Sequence, residues 1–207
     1  SYANIIEGNS LRIDWNDVIP KENLCYIMGN PPFRGARKKD DEQAQDIQDI
    51  FKGVKNIGNL DYVACWYKKA ADFMTGTPIR TALVSTNSIC QGEQVAILWK
   101  DLFADNVHID FAYKTFRWDS ESSTIAQVHC IIVGFSKAPN PKSKRIFDNG
   151  KEKIAKNING YLIEAENICI ESRVSPICDV PEIGIGNKPI DDGNYLFTEG
   201  EMQEFIK

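Results

Sequence analysis

The chain has 207 residues, 43% of them hydrophobic and 10% aromatic, and a formal net charge of −5 at pH 7. That is enough apolar material for one substantial core, and it excludes fibrous and disordered classes. No apolar run approaches the roughly 20 residues that a membrane helix needs, and the opening SYANIIEGNS has neither a basic n-region nor an apolar h-region. It reads as though cut from inside a larger protein, and a cytoplasmic protein is expected. The acidic balance argues at first against a polyanionic partner. Basic residues are nevertheless grouped, at Arg34, Arg37, Lys38 and Lys39, at Lys114 and Arg117, and at Lys137, Lys142, Lys144 and Arg145. Six scattered cysteines without a C-x-x-C pair, and two histidines, offer no metal-ligand spacing. They read as free thiols in a reducing compartment, with Cys25, Cys130 and Cys169 in apolar stretches that suit burial.

Taken in chain order, residues 4–7 form a short strand candidate that leads into GNSLRIDW. Residues 24–29 (LCYIMG) read as a buried strand ended by Asn-Pro-Pro. Residues 41–54 place Ile47, Ile50, Phe51 and Val54 at helical spacing. A second helix over 60–74 puts Val63, Ala64, Tyr67, Ala70 and Ala71 on one face and closes at Gly76. RTALVSTNSI is a strand running out into small polar residues, and a helix over 92–103 buries Val95, Leu98, Trp99 and Leu102. Two further strands, VHIDFAYK and AQVHCIIVGF, are joined by a polar loop, RWDSESST, with no helix between them, so they should be neighbours. This order predicts an α/β fold, a sheet mostly parallel with one antiparallel strand near its edge. After Phe135 the composition changes to a proline- and lysine-rich linker, KAPNPKSK. The expected division is therefore 1–136 as one domain and 137–207 as a connector with short strands and a terminal helix at TEGEMQEFI.

The motif that carries chemistry is Gly29-Asn30-Pro31-Pro32-Phe33, where a strand leaves the sheet. Ligands of open α/β sheets bind beyond the carboxyl ends of strands. Two successive prolines fix φ and supply no N–H donors, so their carbonyls and the Asn30 amide oxygen can be aimed outward. An exocyclic amine such as adenine N6 is a poor nucleophile because its lone pair is delocalised into the ring. Two acceptors, Asn30 Oδ1 and the Pro31 carbonyl, could take both amine hydrogens and turn the lone pair toward an incoming methyl group. Phe33 would hold the flat base by stacking, and transfer then reduces to positioning. An ordinary turn after a strand is the competing reading of the same four residues.

Through the strings GNSLRIDW, GNPPF, GNLDYVACWY, ALVSTNSICQGEQV, FAYKTFRW, VHCIIVGF and SPICDVPEIGIGNKP, the chain resembles the gamma-class adenine-N6 DNA methyltransferases. Within them it resembles the single-chain type IIG/IIL restriction–modification enzymes. The resemblance implies a partial Rossmann-like class I S-adenosylmethionine-dependent methyltransferase sheet, with S-adenosylmethionine as cofactor and double-stranded DNA as partner. It implies that Asn30, Pro31, Pro32 and Phe33 form the target-adenine pocket. Asn9, Ser10 and Leu11 stand where such enzymes usually carry an acidic G-D-x-L stretch that contacts the cofactor's adenine. Phe116, placed in the loop between the two late strands, matches an aromatic that packs against the flipped base, and Trp118 competes for that role. Arg34, Arg37, Lys114 and Arg117 are the candidate DNA contacts.

His108 and His129 read as strand positions. Asp61 and Tyr62 open a helix, where an aspartate is favoured by capping and dipole alone. Gln91-Gly92-Glu93-Gln94 could face substrate or cap a helix.

The glycine-rich loop with which the family grips its cofactor is missing from the chain; GIGNKP at 184–189 lacks a strand before it and a helix after it. The expectation is that the first two strands precede Ser1, that the chain alone binds cofactor weakly or not at all and is inactive, and that the exposed edge of LCYIMG promotes self-association. The target-recognition region is expected beyond Lys207. The alternatives are methylation of RNA or of protein glutamine, and a non-catalytic DNA-binding fragment.

Overall fold

The computed structural model describes residues 3–118, 128–140, 142–173, 175–180 and 197–206. The chain divides into two compact units, Ser1–Glu171 and Ser172–Lys207. The first begins with helix α1 (Trp15–Val18), capped by the Asp14 side chain, then strand β1 (Tyr26–Gly29), helix α2 (Asp41–Ile50), helix α3 (Ala64–Phe73) and strand β2 (Arg80–Thr86). A helical stretch runs from α4 (Gly92–Gln94) through a π-helical segment (Val95–Trp99) into α5 (Lys100–Ala104). Strands β3 (His108–Trp118), β4 (Val128–Ser136), β5 (Lys144–Asp148) and β6 (Lys151–Ala155) complete this unit. The second unit, taken by itself, holds α6 (Glu199–Phe205), started by a Thr198/Glu201 capping box. No helix among the described residues is long and apolar enough to cross a membrane.

The six strands make one sheet in the order β1-β2-β4-β3-β5-β6. β1, β2, β3 and β5 run one way, while β4 and β6 run against them. The predicted α/β sheet is present in the four strands up to Ser136, with β4 its single reversed strand. β4 sits between β2 and β3, because the direct connection from β3 makes it an antiparallel neighbour. The β5–β6 hairpin then extends the sheet through parallel pairing of β5 with β3. Its turn is Asn149-Gly150, with φ of 49° and 75°, the left-handed pair that a type I′ turn demands.

Helices cover one face. Alternation along β2 turns Thr81, Leu83 and Ser85 toward α3, where the Tyr67 hydroxyl meets Ser85 Oγ at 2.9 Å. The Tyr67 ring stacks on Phe135 at 5.2 Å and meets Trp99 edge-on at 5.7 Å. Every position predicted for the buried faces of the second and third helices is buried: Val63, Ala64, Tyr67, Ala70, Ala71, Val95, Leu98, Trp99 and Leu102. Large side chains such as Phe51 and Trp99 each stabilise the fold by about 1.5–3 kcal/mol through burial. On the other face Tyr26, Met28, Ala82, Phe111 and Gly134 border an open cavity of about 480 Å³ that no helical residue lines.

Several sequence expectations change. LCYIMG is not buried: β1 is the terminal strand, Tyr26 and Met28 are 65% and 80% exposed, and Cys25 is exposed as well. An apolar run is buried on both faces only where something covers both, and here α-helices cover one. Residues 4–7 form no strand, and Ile5 and Ile6 are exposed without a backbone partner among the described residues. Phe116 is not in a loop. β3 carries on through an irregularity between Tyr113 and Phe116 and pairs Phe116 with Cys130. The rest of the polar loop, from residue 119, and the GIGNKP stretch lie outside the described residues.

Candidate active site

The Asn30–Phe33 turn leaves the carboxyl end of β1, where Gly29 pairs with Leu83. Thr86 at the end of β2 pairs with Cys130, which pairs in turn with Phe116. Asn30, Thr86 and Phe116 thus lie along one rim of the sheet. Three strand spacings, about 14 Å, separate the β1 and β3 lines. Pro31 is buried, Phe33 is half-buried against the core, and Asn30 and Pro32 are exposed. Among the described residues no hydrogen bond engages the Asn30 side-chain amide, so its oxygen is available to a ligand.

The loop after the turn is held firmly. The Tyr62 N–H donates to the Arg34 carbonyl at 2.9 Å, and the Ala36 N–H donates to Asp61 Oδ1 at 2.8 Å. Lys39 Nζ donates to the Gly58 and Leu60 carbonyls at 3.1 and 2.6 Å. Its burial lowers the ammonium pKa even though the Asp61 charge opposes the shift. The QGEQ segment acts on the same region: Glu93 accepts from Asn59 at 2.8 Å and Gln94 accepts from the Asp61 N–H at 3.0 Å.

The Asn9–Leu11 segment is fastened to α2 and α3. Asn9 Oδ1 accepts from the Leu11 N–H (3.0 Å), and Asn9 Nδ2 donates to Asp46 (3.2 Å). Trp66 Nε1 donates to Ser10 Oγ (3.0 Å), Trp15 Nε1 to the Ser10 carbonyl (2.8 Å), and Lys69 Nζ to the Leu11 and Ile13 carbonyls (2.8 and 2.6 Å). Leu11 itself is buried in the core.

Asp46 also receives the Tyr62 hydroxyl at 2.6 Å and Arg12 Nε at 2.8 Å. Burial opposes its ionisation, but the bonds from Arg12, Tyr62 and Asn9 outweigh burial and hold its pKa below the ordinary value. Burial, reinforced by the Asp46 bond, raises the Tyr62 phenol. Asp46 also explains an asparagine at position 9: an aspartate there would set a second carboxylate against the first, whereas the amide donates.

The Asn9–Leu11 segment comes beside the strand that leads into the turn, although no residue of Asn30–Phe33 lines the space between them. Gly8, Ser10 and Trp15 share an apolar cavity of about 480 Å³ with Tyr26, Ile27 and Met28 of the strand that delivers Asn30. Arg34 and Arg37 are exposed beside the turn and enter no ion pair among the described residues. Lys114 stands apart, paired with Asp148 at 3.3 Å beside Lys151 and Lys153. Phe116 meets Tyr113 edge-on at 5.9 Å, and Tyr113 stacks on Phe147 at 5.5 Å. Arg117 pairs with His129 in the sheet, with its side chain outside the described part. Sequence reading missed Asp46, Trp66 and Lys69. Tyr62, Trp66 and Lys69, at i, i+4 and i+7, form a row of polar-tipped side chains on one helical face that could have signalled them.

A family model described as MmeI, DNA-methyltransferase domain, matches residues 1–148. DNA methyltransferase A of Bacillus subtilis (strain 168) is 40% identical over 201 residues, covering 96% of this chain and 23% of that protein. The solved structure of the type IIL restriction–modification enzyme MmeI in complex with DNA matches with a TM-score of 0.89 at 43% identity, covering 98% of this chain and 28% of that one. Fold, turn and matches together define the class, that of DNA-methyltransferase domains. Within it, the chain belongs to the family of the MmeI DNA-methyltransferase domain. It spans about a quarter of the length of these two relatives.

Proposed function

We propose that this chain supplies the target-base side of an adenine-N6 DNA methyltransferase, acting on double-stranded DNA as part of a restriction–modification enzyme. The observation that carries the reading is the exposed Asn30, its side-chain amide engaged by no described residue, at the carboxyl end of β1 and ahead of two prolines and a half-buried phenylalanine. Asn30 Oδ1 and the Pro31 carbonyl take the two N6 hydrogens, which localises the nitrogen lone pair. Phe33, backed by the core, supports the extruded base. Phe116, on the same rim, borders the base from the far side. Arg34 and Arg37 meet the phosphates next to it.

S-adenosylmethionine, when bound, supplies the methyl group. The cavity shared by the Asn9–Leu11 segment and β1 fits one wall of its site, since its size and apolar lining suit a nucleoside-containing ligand. Ser10 borders it, Asn9 holds the segment to Asp46, and Leu11 anchors it from the core. Residues 1–136 carry the catalytic surface, and 137–207 lead toward a target-recognition region.

The test uses the full-length protein, labelled S-adenosylmethionine and unmethylated mixed-sequence DNA. Label is expected as N6-methyladenine and is expected to vanish in Asn30→Ala with cofactor binding retained. Label on RNA or on protein glutamine instead of DNA would assign the same amide-gripping turn to another substrate. Undiminished methylation by Asn30→Ala would refute the role of the amide.

A further inference from the structure

Asp61 touches neither the base pocket nor the cavity, yet it is 7% exposed, and its carboxylate joins the loop after the Asn30–Phe33 turn to the segment that follows β2. Its carboxylate accepts from the Ala36 N–H at 2.8 Å and from Ser88 Oγ, with Thr86 Oγ1 3.4 Å away. Thr86 and Ser88 are themselves bonded at 2.6 Å. The aspartate at the start of a helix usually caps it, and that explanation fails here. The residue at the α3 cap is Val63, with no side-chain cap bond, and the Asp61 side chain reaches across the sheet rim instead. A buried carboxylate is costly to desolvate, and Asp61 receives two neutral donors and, among the described residues, no bonded cation. The two parts it joins are specific: the loop after Asn30–Phe33 on one side, and the end of β2 with its succeeding turn on the other. The neighbouring Tyr62 N–H adds a second tie to the same loop, at the Arg34 carbonyl.

We infer that Asp61 is a positioning residue for methyl transfer, holding the Asn30–Phe33 turn in register with the end of β2 through the Ala36 N–H. The inference rests on the reading of the turn as the amine-holding site. β1 has a single described neighbour and cannot by itself fix the direction in which the turn leaves it. A shift of about 1 Å in an acceptor can slow a positioned reaction by about a hundredfold.

The full-length enzyme is compared with Asp61→Ala, Asp61→Asn, Ala36→Pro and the double variant Asp61→Ala/Ala36→Pro. Ala36 is the first residue of a 3-10 turn, and Gly35 before it is extended (φ −62°, ψ 152°). A proline at 36 therefore deletes the N–H without disturbing the backbone. At saturating DNA and cofactor, Asp61→Ala and Ala36→Pro are each expected to slow methyl transfer by about tenfold to a hundredfold. The double variant should be no slower than the slower single one, because one bond has been removed twice. The KM for S-adenosylmethionine should stay within about twofold, as for an interaction felt only by the reacting geometry. Asp61→Asn, which keeps an acceptor for Ala36, should restore most of the rate.

Multiplicative effects in the double variant, or an Asp61→Ala rate equal to that of the unsubstituted enzyme, overturn the inference. So does a loss of rate that merely tracks the folded fraction measured by thermal unfolding. No methyl transfer to DNA by the unsubstituted enzyme overturns the proposed function itself, and this inference with it.

Discussion

Asp46→Asn tests how the Asn9–Leu11 segment is held. Asp46 is buried and takes Arg12 Nε at one oxygen and both the Tyr62 hydroxyl and Asn9 Nδ2 at the other. An asparagine presents one oxygen and one amine, so whichever way it sits, one set of donors faces a donor. Tyr62 is 4% exposed and cannot turn to water, so stranding its hydroxyl costs about 1–3 kcal/mol. Arg12 is half exposed, and solvent screening leaves its share the smaller one. The expected loss at pH 7 is about 1–3 kcal/mol, which for a chain of this size lowers Tm by roughly 2–12 °C.

The pH dependence has a definite sign. The Asp46 pKa is lowered in the folded protein. Its stabilisation is therefore fully present above the unfolded value, near the ordinary 3.8, and is lost as pH falls through the folded value. Parallel urea titrations of the two proteins between pH 7 and acid should show a constant gap down to about pH 5, narrowing below it. A gap unchanged across that acid range, or none at pH 7, would refute the reasoning.

Packing and exposure give three further expectations. A Cβ on Gly160 would stand 2.8 Å from Val95 Cγ1 and 2.9 Å from Trp99 Cβ and Cγ, and Trp99 is pinned through Nε1 to the Ile89 carbonyl. Gly160→Ala should therefore cost about 1–3 kcal/mol, read as a lower urea midpoint at an unchanged slope; an unchanged midpoint would show that the helix yields freely. Burial pushes the Cys65 thiol up to about 12 and the Cys90 thiol up to about 11. Mapping of an aromatic disulfide reagent at pH 8 should find exposed Cys25 and Cys178 modified first and Cys65 and Cys90 only on unfolding, an order that rapid labelling of Cys65 would contradict. The chain should associate through the β1 edge that has no partner among the described residues as concentration rises, with Met28→Lys suppressing it; sedimentation as a monomer throughout would count against that edge.

The helices were legible because their apolar positions recur at 3.6 residues, a signal that depends only on the chain itself. The same holds for the neighbouring late strands, since a connection without a helix leaves little but an antiparallel pairing. Exposure of Tyr26 and Met28 was not legible, because a continuous apolar run looks the same whether one face or two are covered. The hairpin after residue 143 carried a readable cue in Asn149-Gly150, flanked by KRIFD and KEKIA, which composition alone obscured by resembling a linker. The π-helical segment at Val95–Trp99 has no counterpart in the pattern of apolar positions, which suits a continuous α-helix equally well.

The site divides along the same line. Asn30-Pro31-Pro32-Phe33 could be read because its chemistry lies within four consecutive residues. Asp61 could not, because the partners that distinguish it from a helix cap are 25 residues before it at Ala36 and 27 after it at Ser88. This division bears on how the turn is made stiff. Its prolines fix φ locally, yet the strand that presents it is a sheet edge with one described neighbour. Rigidity therefore enters from the far side, through Asp61 and Tyr62 at the start of α3, a helix whose Tyr67 and Ala70 are fully buried. Substitutions that loosen the front of α3 should consequently disturb the turn more than equal losses of stability in β1.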